Sequence, residues 1–96
     1  MKQTDVTYAQ LDKVLRSLGF SRPLVDSDPP ARIYEHKEVG AYITIPPYPM
    51  TDFVWDWHLI GARTTVDLNG IAEAAAFDAE LRKVSRNGRR RTKGKP

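Results

Sequence analysis

Tyr8, Leu11, Val14, Leu15 and Leu18 recur at three- and four-residue intervals and predict one apolar face of a helix over 8–18. Thr7 and Gln10 stand at the spacing of a capping box, in which each side chain satisfies the other residue's backbone N–H. Gly19 suits the left-handed residue that closes a helix, and Phe20 and Leu15 are then the pair that meets across a Schellman ending.

The period then changes from helical to alternating. Leu24-Val25 fits a short edge strand, followed by loop over 26–30 with Pro29 and Pro30. Residues 32–36 read as a strand with Ile33 and Glu35 on one face and Arg32, Tyr34 and His36 on the other. Glu38-Val39-Gly40 supplies a turn. Ala41-Tyr42-Ile43-Thr44-Ile45 is the strongest strand signal, with Ala41, Ile43 and Ile45 predicted to face the core. The two runs are close enough to pair as an antiparallel hairpin.

Pro46-Pro47-Tyr48-Pro49 ends the sheet, because proline cannot donate to a ladder. Thr51 or Asp52 is the expected cap of a second helix with Trp55, Leu59, Ala62 and Val66 along one stripe, ending at Asn69-Gly70. A last helix is expected over 72–84, with Ala74, Phe77, Leu81 and Val84 on its apolar face. The order helix, two or three strands, helix, helix (α-β-β-β-α-α) predicts a small α+β two-layer sandwich: an antiparallel sheet of two to three strands with helices packed on one face. Residues 1–84 form one predicted domain, and residues 85–96 a basic tail expected to be disordered for want of apolar residues.

Charge sharpens that division. All 12 acidic residues lie between Asp5 and Glu80, whereas 8 of the 15 bases lie between Arg82 and Lys95. Residues 1–81 therefore carry −5 and residues 82–96 carry +8. A chain of 96 residues without cysteine has no disulfide framework, thiolate metal site or cysteine nucleophile. No apolar run is long enough to span a membrane, and the opening residues lack a signal-peptide core, so a cytoplasmic protein is the expectation.

Three segments, Leu15-Arg16-Ser17-Leu18-Gly19-Phe20, Arg32-Ile33-Tyr34-Glu35-His36 and Tyr42-Ile43-Thr44-Ile45-Pro46, together with this element order, resemble the HicA (YcfA-like) family of bacterial toxins. The resemblance covers about residues 8–70. It implies a double-stranded-RNA-binding-domain-like (dsRBD-like) fold, mRNA interferase activity and a neutralising antitoxin partner. The chain departs from the family where the chemistry lies. Aligning Tyr34 and His36 with the family's second-strand motif puts Pro30 at its serine and Ala31 at its catalytic histidine. Pro47 and Tyr48 replace a basic residue and a histidine after the third strand. Metal-independent RNA cleavage needs a group that titrates near neutrality to move the 2′-hydroxyl proton, which Ala31 cannot do.

The remaining candidates are few. His36 is either a displaced general base or a polar strand end facing water; His58 reads as a partly buried packing residue. Neither has metal-ligand spacing, and Asp26, Asp28, Asp52 and Asp56 are explained by turn and cap chemistry, so no metal or cofactor is expected. Arg86, Arg89, Arg90, Arg91, Lys93 and Lys95 in the tail, with Arg32 and Lys37 on the strand, are the candidates for contact with RNA or another polyanion. Without interleaved aromatics such bases would bind phosphate with little sequence preference. Tyr48, Phe53 and Trp57 lie in an aromatic segment too rich to be buried whole, which suggests a protein-binding surface for an antitoxin-like partner or a homodimer. The expected functions are therefore a catalytically degenerate HicA-like nucleic-acid binder, an interaction module, or a ribonuclease that uses His36.

Overall fold

The computed structural model describes the backbone of residues 2–21, 24–25 and 30–93, and the side chains of 2–21 and 30–84. In chain order the elements are β1 (Gln3–Thr7), α1 (Tyr8–Ser17), β2 (Leu24–Val25), β3 (Arg32–His36), β4 (Ala41–Ile45), β5 (Phe53–Trp55), α2 (Asp56–Leu68) and α3 (Ala74–Lys93). They form an α+β sandwich from a two-stranded ribbon, β1-β5, and a three-stranded sheet, β2-β3-β4, all antiparallel.

α1 begins and ends as its sequence dictates. The Thr7 hydroxyl accepts from Gln10 N–H at 3.2 Å, and the Gln10 side chain accepts from Thr7 N–H at 2.8 Å. The carbonyls of Asp52 and Met50 take the Tyr8 and Ala9 N–H groups, so the first turn leaves no orphan donor there. At the other end Phe20 N–H reaches Leu15 C=O and Gly19 N–H reaches Arg16 C=O, with Gly19 at φ +104°, which completes a Schellman ending. α2 closes the same way through Gly70, φ +68°, with Ile71 N–H on Val66 C=O.

β3 and β4 pair from Arg32↔Ile45 to His36↔Ala41. Tyr34, His36, Ala41, Ile43 and Ile45 all turn inward, while Tyr42 and Thr44 face solvent. The inner face meets a core that includes Leu11, Val14 and Leu15 of α1, Ala62 and Val66 of α2, and Phe77 and Leu81 of α3.

The structure corrects the expected element order in three places. The segment Gln3–Thr7, expected only to lead into the helix, is a strand. Its partner is Phe53–Trp55, so α2 starts at Asp56 and not at a Thr51 or Asp52 cap. Val54, completely buried, anchors that ribbon, which explains why this segment is extended instead of helical. The buried face of α2 accordingly runs through His58, Ala62 and Val66, with Trp55 outside the helix. Finally, the α3 backbone stays helical to Lys93, past the expected end at Val84. Arg and Lys are good helix formers, and adding a residue to an existing helix gains one hydrogen bond without a new nucleation cost. The loop expected over 26–30 lies mostly outside the described residues, as do residues 94–96.

Candidate functional site

His36 is not a strand end in water. It is 6% exposed. The pleat that turns Tyr34 inward also turns His36 inward, under the last turn of α1. Its Nε2 donates to Leu18 C=O at 3.1 Å, because a carbonyl can only accept. The other ring nitrogen, Nδ1, is buried and has no partner. Phe20 meets the ring edge-on at 5.2 Å. His36 therefore ties the end of α1 to β3.

His58 is buried as well, in an aromatic group. The Tyr8 hydroxyl accepts from Trp55 N–H at 3.4 Å and lies 2.8 Å from His58 Nδ1. The phenol and Nδ1 share one hydrogen bond, and the other ring nitrogen, Nε2, is buried without a partner. Burial pushes the His58 pKa down from its usual value, so the ring is neutral near pH 7. Tyr48 stacks on Tyr8 at 5.4 Å and Trp57 covers the His58 ring at 4.1 Å. Sequence alone placed His58 as a packing residue but gave no sign of its link to Tyr8.

The other predicted contact residues divide. Arg32 is not a free cation: its guanidinium donates to Tyr48 C=O and ties β3 to the proline-rich crossing. Lys37 is exposed in the β3–β4 turn. Arg86, Arg89, Arg90, Arg91 and Lys93 lie on the helical extension of α3, where only the backbone is described, and Lys95 lies outside the described residues. Tyr48 is half-buried by its stack on Tyr8, whereas Phe53 and Trp57 are exposed.

Two exposed features were not foreseen. Ile60 and Leu68 join Trp57 on the outer side of α2. An open groove of about 260 Å³ runs between β4 and α2, lined by Tyr42, Thr44, Trp57, His58, Gly61 and Thr65 among others. Of the expected inner stripe of α2, Ala62 and Val66 are buried as expected, and only Trp55 gives way, to His58. Among the described residues no cluster of three or more His, Cys, Asp or Glu could hold a metal ion. No described helix is long and apolar enough to cross a membrane. No family model, curated protein or solved structure matches the chain.

Proposed function

We propose that this protein is a non-catalytic, HicA-like nucleic-acid binder that contacts phosphate through the basic extension of α3. One observation carries the reading. The helix that plants Phe77 and Leu81 in the core continues as a single backbone helix through Arg82, Lys83, Arg86, Arg89, Arg90, Arg91 and Lys93. The basic segment is thus an arm that springs from the core, and the helical period puts Arg82, Arg86, Arg89 and Lys93 on one side of it. A row of bases of this kind can neutralise successive phosphates, a contact that does not depend on base sequence.

The body supports the same division of labour. Its charge of −5 over residues 1–81 repels phosphate, which leaves attraction to the arm. Both histidines are buried, which weighs against the ribonuclease reading.

The test is fluorescence anisotropy with double-stranded and single-stranded RNA of several sequences, on the full chain and on its Arg89→Ala, Arg90→Ala, Arg91→Ala variant. The full chain should bind all of them similarly, with affinity falling steeply as salt rises. The triple variant should lose most of the affinity and flatten the salt slope by roughly two to three. Equal binding by both proteins, or no binding by either at low salt, would sink the reading.

A further inference from the structure

Among the described residues, no strand stands beside the outer edge of β4. Which groups face that edge follows from the register. Ser21 N–H donates to Glu35 C=O at 2.9 Å, so the Glu35 backbone groups point to the β2 side, away from β4. Glu35 lies opposite Tyr42, which makes this a pair without mutual hydrogen bonds. In such a pair both residues turn their N–H and C=O groups outward. Alternation makes Ile33 and Thr44 the next pair of this kind. The N–H and C=O groups of Tyr42 and Thr44 therefore all point to the open edge, and none has a backbone partner in another element among the described residues.

Soluble proteins commonly blunt such an edge with a lysine, a proline or a bulge. Ala41-Tyr42-Ile43-Thr44-Ile45 has none of these, and the prolines begin only at Pro46. A second open surface adjoins it. α2 packs against β4, and its outer side carries Trp57, Ile60 and Leu68, exposed by 51%, 56% and 80%. With Gly61 and Thr64 they form a stripe at helical spacing without a charge.

We propose that a second copy of this chain occupies both surfaces, pairing β4 with β4 in antiparallel sense to make a two-fold dimer. Centred on Ile43, the strand is complementary to itself. Tyr42 of one copy then faces Thr44 of the other, and the outward groups close four backbone hydrogen bonds. The two three-stranded sheets become one continuous sheet. A two-fold axis normal to that sheet keeps both helix layers on one side and brings each α2 toward its equivalent. The Trp57–Ile60–Leu68 stripe then meets its own copy across the axis. A foreign extended peptide would satisfy the strand edge alone and leave the stripe in water, so one occupant accounts for two features. None of Tyr42, Thr44, Trp57, Ile60, Gly61, Thr64 and Leu68 carries a charge. The inference does not depend on nucleic-acid binding.

Sedimentation equilibrium of the full chain, freed of nucleic acid, tests it from roughly 1 μM to 1 mM protein. The chain should pass from monomer to dimer. Thr44→Pro removes an outward N–H without touching the β3–β4 ladder, and Ile60→Glu places a carboxylate in the stripe. Each should weaken the dimer at least about tenfold, with an unchanged far-ultraviolet circular dichroism spectrum. Amide exchange gives a separate reading that needs no variant: the Tyr42 and Thr44 amides should become protected as concentration rises. A chain that stays monomeric to 1 mM, a dimer that Ile60→Glu does not weaken, or Tyr42 and Thr44 amides that exchange freely at every concentration would each overturn the proposal. The last two decide the matter even if Thr44→Pro fails to fold.

Discussion

Gly19 and His36 are locked together: a Cβ on Gly19 would stand 2.7 Å from His36 Nε2. Gly19 also holds φ at +104°, where side chains are strained. The glycine thus serves two ends at once, closing α1 and leaving room for the imidazole that donates to Leu18 C=O.

Gly19→Ala should accordingly be severe for one methyl group. Backbone strain and the collision with a ring rather than a flexible chain end act together, and the expected loss is about 2–4 kcal/mol. Urea unfolding of the variant checks it. A loss under about 0.5 kcal/mol would mean that the turn or the ring relaxes freely, contrary to the packing described.

The pH dependence of stability should carry the mark of His58. Burial holds its folded pKa below the usual value of 6.5, so below that value the unfolded chain binds a proton that the folded chain resists. The stabilisation is fully present above pH 6.5 and is lost as pH falls through 6.5 toward the lower folded value. Urea midpoints measured at several pH values should decline through this window, and His58→Gln should flatten that part of the profile. An unchanged slope in the variant would assign the acid sensitivity to other groups.

Alkaline titration should separate the tyrosines. Burial raises the pKa of Tyr8, and burial together with the hydrogen bond from the Tyr34 hydroxyl to Asp12 at 2.7 Å raises that of Tyr34. Both phenols remain protonated in the folded chain above pH 10, where unfolded phenols ionise. Their contribution to stability is complete below pH 10 and is lost as pH rises beyond it. Ultraviolet absorbance at 295 nm should show Tyr8 and Tyr34 ionising late, together with unfolding. Tyr34→Phe should remove one of the two late ionisations.

Local chemistry was legible in the sequence wherever neighbours in the chain decide the outcome. The capping box at Thr7 and Gln10, the Gly19–Phe20 ending, the alternation over 41–45 and the Asn69-Gly70 stop depend on residues a few positions apart. The β1-β5 ribbon was not legible, because Gln3 and Trp55 are 52 positions apart and each strand is too short to declare itself. Missing β5 put Trp55 on the core stripe of α2, a place that His58 takes, while Ala62 and Val66 stand buried as expected. The site suffered likewise. Nothing in Arg32-Ile33-Tyr34-Glu35-His36 reveals which strand face meets the helices, so His36 read as accessible. Likewise, no pattern in the sequence reveals that, among the described residues, no strand pairs with the outer edge of β4.

Gly61 and Gly70 offer a paired test of space against backbone. A Cβ on either would meet nothing within 4 Å. They differ in conformation: Gly70 sits at φ +68°, whereas Gly61 lies inside α2 without a positive φ. At Gly61 alanine should therefore gain helix propensity and reduce the freedom of the unfolded chain, raising stability by about 0.5–1 kcal/mol. At Gly70 the same change forces a side chain into the left-handed region and should lower stability by about 1–2 kcal/mol. Thermal unfolding at low protein concentration, where the α2 face stands open, should move the two variants in opposite directions, each by about 3–8 °C. If both variants lose stability, then something other than the helix backbone requires glycine at position 61, and the space in the groove is not empty when the protein folds.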